Sequence, residues 1–358
     1  MFFTSDNVTG AAPEIMAALA AANEGPQPSY GADPITARVE ERLAALFERE
    51  VAVFLVATGT AANSLGLAAL TPPWGAVYCH REAHIERDEA GAPEFFTGGA
   101  KLVLLPGAHG KITPAALTAG LEEAWTGSVH AVQPAVLSLT QATESGTVYT
   151  ADEVAALTAI ARAQGMRTQM DGARFANAVA HLGCAPADVT WRAGVDVLSF
   201  GATKNGALAA EAVVFFDTDL AKDFGWRRKR GGHLFSKMRF LSAQMDAYLA
   251  DGLWLRLAAH ANGMAQRLAQ GLARVPGAAL RDPVQANEVF VTLPEPVIAG
   301  LETAGFRFYR WDGATVRLVT AWNTKAEDVE ALVDAATRIA AARIGAARIA
   351  GQSDAGEG

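Results

Sequence analysis

The chain has 358 residues, of which 51% are hydrophobic and 19% charged, which is ordinary for a globular enzyme and long enough for one large and one smaller domain. Its net charge of −8 argues against a nucleic-acid partner, because phosphate backbones attract basic surfaces. The two cysteines, Cys79 and Cys184, make no disulfide framework and predict a reducing compartment.

Apolar runs alternate with helix-like stretches along the first two thirds of the chain. We predict strands over residues 51–56, 77–79, 101–105, 131–139, 166–170, 195–200 and 212–216, and helices over 35–49, from 61 and over 151–164. This alternation predicts a mostly parallel sheet covered by helices on both faces. The run 212–216 is the candidate for an antiparallel strand that closes the sheet.

The pattern changes after the basic residues 227–230. A long helix is predicted over 240–274, short strands over 288–293 and 315–320, and a final helix over 324–344. We therefore predict a large domain over residues 1–245, a small α+β domain over 246–345 and a disordered tail over 346–358. No signal peptide and no 18-residue apolar run is visible, so a cytosolic location without a membrane partner is expected.

Lys204 stands at the end of the strand predicted over 195–200, although lysine is among the residues least often buried. An amine kept neutral by its surroundings can form a Schiff base with an aldehyde cofactor. Asp171 ends the preceding strand, where a carboxylate can keep a pyridine ring nitrogen protonated. Asp171 alone is equally typical of a turn or helix cap, but together the two residues indicate pyridoxal 5'-phosphate (PLP) as cofactor.

Two further features can hold parts of such a cofactor. Residues 58–63 follow a strand and open a helix, where backbone N–H groups bind phosphate; an ordinary turn with a capping threonine is the alternative. His84 can cover the ring face, with a carboxylate among Glu86, Asp88 and Glu89 to orient it; a purely structural histidine is the alternative.

Arg174 and Arg317 are candidates to bind a substrate carboxylate through bidentate hydrogen bonds. Arg317 lies inside an apolar strand, where a charge is costly unless paired; the alternative is an edge residue that faces solvent. The basic residues 227–230 form either a solvated face or a surface near the cofactor of a neighbouring subunit.

Together, these residues resemble those of the low-specificity L-threonine aldolases. The matching stretches are residues 5–10, 30–33, 57–63, 84–91, 171–174, 200–204 and 316–320. The resemblance spans roughly residues 3–340 and is closest to the bacterial branch with phenylserine-cleaving members. It implies the α/β architecture of PLP-dependent fold type I, the aspartate aminotransferase fold. That fold has a large domain with a mostly parallel seven-stranded sheet and a smaller α+β C-terminal domain. It also implies a homodimer or homotetramer with active sites at the subunit interface.

The resemblance also implies roles for single residues. Lys204 would carry PLP, Asp171 would hold the pyridinium nitrogen, and His84 would stack on the ring. Gly59 and Thr60 would bind the phosphate. The substrate carboxylate or cofactor oxygens would be held by Ser5, Arg174 and Arg317, and Tyr30 would come from a second subunit. No metal site is implied.

The implied reaction is retro-aldol cleavage of L-threonine, L-allo-threonine or another β-hydroxy-α-amino acid, such as L-phenylserine, to glycine and an aldehyde. Many family members have a histidine just before the glycine that matches Gly146, where this chain has Glu144. The acceptor of the β-hydroxyl proton is therefore open between His84, Glu144, a water and the cofactor phosphate, and His84 is preferred.

Two other interpretations of the whole chain remain open at this point. One is another fold type I PLP enzyme of small amino acids, such as a serine hydroxymethyltransferase-like enzyme, a transaminase or a racemase. The products formed from L-threonine distinguish these from an aldolase. The other is a non-catalytic PLP-binding protein, against which the substrate-binding candidates Ser5, Arg174 and Arg317 argue.

Overall fold

The computed structural model describes residues 1–354, with the side chains of residues 1–342. The strands of the larger sheet are β1 (Ala52–Val56), β2 (Gly75–His80), β3 (Lys101–Leu105), β4 (Gln133–Thr140), β5 (Arg167–Gly172), β6 (Val197–Gly201) and β7 (Glu211–Phe215). They lie in the order β1-β7-β6-β5-β4-β2-β3. β7 is antiparallel to both its neighbours, and the other pairs are parallel. The mostly parallel sheet and its antiparallel strand near 212–216 are as predicted.

The helices are α1 (Pro13–Ala22), α2 (Pro34–Leu46), α3 (Gly59–Leu70), α4 (His84–Arg87), α5 (Ala92–Thr97), α6 (Pro114–Glu122), α7 (Ala151–Ala163), α8 (Phe175–Leu182), α9 (Phe224–Arg230), α10 (Arg239–Leu249), α11 (Leu253–Leu272), α12 (Glu295–Thr303) and α13 (Ala326–Asp354). The predicted tail 346–358 overlaps the end of α13, and residues 355–358 lie outside the described part of the chain.

Helices cover both faces of the larger sheet, because side chains alternate along each strand. In β7, Ala212 and Val214 join the main core with α2, α7 and α8, whereas Val213 and Phe215 join a second cluster with α3 and α9. β7 is buried along its whole length. The apolar run from Ala212 to Phe215 is what a sheet buried on both faces requires.

The helix predicted over residues 240–274 is two helices, α10 and α11. The helical conformation is interrupted between them at Asp251 and Gly252, which have φ angles of 50° and 66°. Such left-handed residues cannot continue a right-handed helix. The apolar spacing of the two helices is continuous enough to hide this interruption in the sequence.

The C-terminal part contains a second sheet of β8 (Ala279–Leu280), β9 (Glu288–Thr292), β10 (Tyr309–Asp312) and β11 (Thr315–Val319), in the order β10-β11-β9-β8. Its own core packs α11, α12 and α13 against these strands. Phe3 belongs to this core, and the Val319 N–H donates to the Phe3 carbonyl at 2.8 Å. The chain start thus lies against the C-terminal unit, and the boundary at 245/246 stays a prediction.

The larger sheet brings distant parts of the chain to one edge. The carboxyl ends of the parallel strands β4, β5 and β6 meet there, beside the start of α3. Open α/β sheets bind their ligands at this edge. Within the described residues, no helix combines the length and apolar character needed to cross a membrane.

Candidate active site

A cavity of about 570 Å³ opens at this edge of the sheet. Its lining includes Asn7, Thr58, Gly59, Thr60, Asn63, His84, Thr140, Ala142, Glu144, Asp171, Ala173, Arg174, Thr203, Lys204, Leu208 and Glu211. Its size is in the range of small-molecule and cofactor sites. Six of the residues predicted from the sequence to bind cofactor or act in catalysis therefore share one space with the lysine.

Lys204 lies on a short turn directly after β6. The turn is anchored by Asn205, whose side-chain amide donates to the Tyr248 hydroxyl and to the Trp254 carbonyl, each at 2.8 Å. Gly206 closes it with a φ of 101°, a conformation that favours glycine. Among the described residues, no side chain or carbonyl accepts a hydrogen bond from the Lys204 amine, so the amine faces the cavity unpaired.

Asp171 at the end of β5 is buried, and both of its carboxylate oxygens are occupied by donors. Oδ1 accepts from the Ala173 N–H at 2.9 Å, and Oδ2 accepts from the Asn63 side-chain amide at 2.8 Å. The same amide donates to Glu89 Oε1 at 2.9 Å. Gln169 in turn donates to the Asn63 oxygen at 3.2 Å. This network fixes the orientation of the Asp171 carboxylate inside the protein.

His84 begins α4 and is held from two sides. Its Nδ1 lies 2.8 Å from Oε1 of the buried Glu89, and its backbone N–H donates to Glu144 Oε1 at 2.7 Å. The hydrogen bond with Glu89 raises the pKa of His84, against the opposing effect of burial. His84 is therefore oriented by a carboxylate, as expected, and that carboxylate is Glu89.

Glu144 lies in the loop after β4, and its two carboxylate oxygens differ. Oε1 accepts from His84 and from the Thr140 hydroxyl, the latter at 2.9 Å. Oε2 is buried without a hydrogen-bond partner among the described residues. Burial and repulsion by Asp171 raise the pKa of Glu144 to about 7. A group with this pKa can accept a proton and return it near neutral pH.

The start of α3 forms another wall. Thr58 caps the helix, and its hydroxyl accepts from the Ala61 N–H at 3.2 Å. The N–H groups of Gly59 and Thr60 come before the first helical hydrogen bond, so the helix supplies no acceptor for them. A Cβ atom placed on Gly59 meets nothing within 4 Å, so the space in front of the helix is open. This arrangement suits a phosphate group.

Comparison with known proteins identifies the family to which this set of residues belongs. Residues 3–295 match the beta-eliminating lyase family. The low specificity L-threonine aldolase of Pseudomonas aeruginosa is 49% identical over 332 residues, which cover 92% of this chain and 95% of that protein. The chain belongs to the low-specificity L-threonine aldolase family. A second low specificity L-threonine aldolase, from Pseudomonas sp., is 46% identical and covers 93% of this chain and 98% of its own length.

The structural comparison agrees with this membership. The Leishmania major threonine aldolase matches with a TM-score of 0.89 at 30% identity, covering 95% of this chain and 99% of that chain. The protein is therefore a PLP-dependent carbon–carbon lyase that cleaves L-threonine. Its fold is that of PLP-dependent fold type I, as the resemblance implied.

The donor set of the aldolase fits PLP. An unpaired amine, a carboxylate with a fixed orientation and an open helix start are the groups that the aldehyde, the ring nitrogen and the phosphate of PLP require. They come from three separate elements and share one cavity, and a carboxylate oxygen of Asp171 can accept a second hydrogen bond besides the one that it already accepts.

The arginines of the aldolase are more heavily paired than the sequence suggested. Arg174 lines the cavity, and its Nε and Nη2 donate to the two oxygens of Asp6 at 2.9 and 3.1 Å. Arg317 lies outside the lining, donates to the Thr4 carbonyl at 3.2 Å and has its Nε 3.7 Å from Glu288 Oε1. Ser5 also lies outside the lining, and its hydroxyl accepts from the Asn7 N–H at 3.1 Å.

Tyr30 lies away from the cavity within one chain. It is half-exposed, has a φ of 58° and lines a small separate pocket with Gly31 and Arg228. Lys229 lies 5.1 Å from its ring centroid. The basic stretch 227–230 thus forms α9 beside Tyr30, and Arg228 packs over Phe54 at 5.2 Å.

Sequence reasoning missed Asn63 and Glu211 as site residues. Asn63 joins the carboxylates of Asp171 and Glu89 but looked like an ordinary helix residue. Glu211 is buried at the start of β7 and lines the cavity, and burial raises its pKa to about 7. A glutamate that opens a wholly apolar strand was the one available signal for it.

Proposed function

We propose that this aldolase accepts L-threonine, L-allo-threonine and bulkier β-hydroxy-α-amino acids such as L-phenylserine, releasing glycine and an aldehyde. The observation that carries this proposal is the cavity of about 570 Å³, which is lined by both Lys204, with its unpaired amine, and Glu144. The lining of the cavity also includes the small residues Ala142 and Ala173, which leave room for a large β-substituent.

In the proposed site, Lys204 would hold PLP through its aldehyde. The Asp171 carboxylate would hold the ring nitrogen, and the N–H groups of Gly59 and Thr60 would hold the phosphate. PLP, when bound, supplies the electron sink that stores the electrons of the broken Cα–Cβ bond. His84 covers the ring face, held by Glu89 at 2.8 Å.

The substrate carboxylate is bound near Arg174 and Arg317, with Ser5 beside them. Holding this group would fix the orientation of the substrate and of its Cα–Cβ bond before cleavage. Such positioning is the contribution of these residues to the rate. Arg174 Nη1 and Arg317 Nε support this role, because Glu288 contacts them only at 3.3 and 3.7 Å and makes no hydrogen bond to either within the described residues.

We assign the acceptance of the β-hydroxyl proton to Glu144 rather than to His84, which the sequence had favoured. His84 is committed to Glu89, whose Oε1 lies 2.8 Å from its Nδ1, and this hydrogen bond raises the pKa of His84. Glu144 has a free buried oxygen and a pKa of about 7, so it can take the hydroxyl proton as the Cα–Cβ bond breaks. His84 then positions Glu144 through its backbone N–H.

We further propose a cytoplasmic homodimer or homotetramer in which Tyr30 reaches the active site of a neighbouring subunit. Tyr30 is exposed and held in a left-handed backbone conformation, and its N–H donates to the Ser236 carbonyl at 3.0 Å. An aromatic side chain fixed in an exposed position suits an interface. The unpaired state of Cys79 and Cys184 supports the reducing location.

An aldehyde-release assay tests the substrate range. The PLP-loaded protein is incubated with L-threonine, L-allo-threonine and L-phenylserine, and acetaldehyde or benzaldehyde is measured. We expect turnover of all three. The control pair is Lys204→Ala, which abolishes release, and Lys222→Ala at an exposed site, which does not. Release from L-threonine alone would contradict the broad range.

A further inference from the structure

Four charged side chains form a compact group beside the cavity: Arg174, Arg317, Asp6 and Glu288. The side chains of Asp6 and Glu288 are each 1% exposed, and those of Arg174 and Arg317 are 10% and 16% exposed. Two positive and two negative charges cancel formally. When a substrate carboxylate binds the arginines, their positive charges are therefore already neutralised by Asp6 and Glu288.

The two carboxylates pair with the arginines in different ways. Asp6 makes two short hydrogen bonds to Arg174 and accepts a third from the Asn287 side chain at 3.0 Å. Glu288 lies 3.3 Å from Arg174 Nη1 and 3.7 Å from Arg317 Nε, and its Oε2 has no hydrogen-bond partner among the described residues. Asp6 is thus a committed partner of Arg174, whereas Glu288 is a loose one.

Arg317 lies outside the cavity lining, and its guanidinium is held between Glu288 and two aromatic rings. Its guanidinium lies 5.4 Å from the ring centroids of both Tyr309 and Trp311, which hold it over the second sheet. Its Nε is buried and makes no hydrogen bond within the described part of the chain. Among these residues, the negative charge that Arg317 faces is that of Glu288.

We propose that Glu288 is an internal counter-ion with which the substrate carboxylate competes for Arg174 and Arg317, and that it sets the affinity for substrate and for the product glycine. This inference rests on the proposed carboxylate site. Glu288 occupies the arginines loosely, since it lies 3.3 Å from Arg174 Nη1 and 3.7 Å from Arg317 Nε without a hydrogen bond to either. An incoming carboxylate with two well-placed oxygens can outcompete it.

In this arrangement Glu288 weakens the binding of the substrate and of the product glycine. Glu288 repels the carboxylate of both L-threonine and glycine, because like charges close together oppose association. Glycine is held mainly by its amine and its carboxylate, so weaker carboxylate binding favours its release. Binding energy withheld from the ground state leaves the rate of the chemical step unimpaired.

The test is glycine binding to the PLP-loaded enzyme, measured by calorimetry. Glu288→Gln keeps the shape but removes the charge, and we expect glycine to bind roughly tenfold more tightly, with a lower KM for L-threonine. Glu288→Met is a second neutral variant, in case the amide disturbs folding. The matched control is Glu295→Gln, which removes the charge of an exposed glutamate paired with Arg310.

A purely structural role for Glu288 makes the opposite prediction, since loosening the site weakens glycine binding and lowers the melting temperature. Unchanged or weaker binding in both folded neutral variants overturns the proposal. Arg317→Ala separates this result from failure of the carboxylate site itself. If glycine binding survives in Arg317→Ala, the proposed carboxylate site is wrong; if it is lost there but unchanged in Glu288→Gln, only the counter-ion role fails.

Discussion

Among single residues, the carboxylates of the active site differ in how many of their oxygens accept hydrogen bonds, and this difference suits them to different chemical roles. Asp171 has both oxygens occupied by donors, whereas Glu144 keeps one buried oxygen free. The first arrangement suits a permanent anion that faces a cationic ring. The second suits a group that changes its protonation state during turnover.

Glu144→Gln removes the proposed proton acceptor while keeping its size. We expect kcat for L-threonine to fall about 10²–10⁴-fold, the usual contribution of general acid–base catalysis. Cofactor loading, followed by the visible absorbance of bound PLP, stays unchanged. Glu86→Gln, at an exposed position in α4, is the control and retains full activity.

The pH profile tests the same residue independently. Since burial and Asp171 raise the pKa of Glu144 to about 7, the carboxylate form needed to accept a proton is lost as pH falls through that value. The kcat of the wild type therefore declines on the acid side of about pH 7, and this limb disappears in Glu144→Gln. A variant that keeps both the rate and the limb would return the role to His84 or a water.

At the scale of elements, the start of α3 has two functions at once. Thr58 caps the helix through its hydroxyl, and the two following N–H groups face the cavity. A strand followed by Thr-Gly-Thr was readable in the sequence as a strand–helix junction. The sequence did not show whether that junction faces a ligand, because this depends on where the edge of the sheet lies in the folded protein.

Thr58→Ala separates the two functions. Losing the cap costs on the order of 1 kcal/mol of stability, and losing the hydroxyl weakens PLP binding. Thr113→Ala is the matched control, because Thr113 caps α6 with the same hydrogen bond, at 3.1 Å from the Ala116 N–H, away from the cavity. Thermal unfolding and PLP titration of the apo-proteins measure both effects.

We expect the melting temperatures of the two variants to drop alike and PLP affinity to fall only in Thr58→Ala. Equal PLP affinity in both variants would mean that the Thr58 hydroxyl takes no part in phosphate binding. A larger loss of stability in Thr58→Ala than in Thr113→Ala would indicate that the first turn of α3 is also needed for packing.

For the whole molecule, variants of Tyr30 distinguish an active site built within one subunit from an active site shared between two subunits. If each site takes Tyr30 from a neighbouring subunit, Tyr30→Ala and Lys204→Ala are both impaired alone but complement each other when co-expressed. In mixed dimers one site carries both intact residues, so we expect roughly a quarter of wild-type activity. Light scattering of the wild type checks for a multiple of the 37.4 kDa chain mass.

A mixture with no more activity than the better single variant would contradict a shared site. The control is co-expression of Lys204→Ala with Asp171→Ala. Both of these residues line the cavity of one chain, so their combination leaves no complete site in a mixed dimer. Restoration by Tyr30→Ala but not by Asp171→Ala would identify the residue that crosses the interface.

The succession of strands along the chain, the cofactor class and seven of the residues that line the cavity could be predicted from the amino-acid sequence. Buried strands appear as unbroken apolar runs, and a lysine or aspartate at the end of one is conspicuous against that background. The spacing of apolar residues did not reveal the boundary between two consecutive helices with the same periodicity, as at Asp251 between α10 and α11.

Which charges face one another depends on the packing of the chain and could not be predicted from the sequence. Glu288 and Arg174 are far apart in the chain and meet because the chain start and the second sheet pack against the end of β5. The free oxygen of Glu144 likewise depends on where His84 and Thr140 lie around it. Spacing along a chain indicates which groups are present, but pairing, burial and the resulting pKa values depend on distances that only the packed molecule defines.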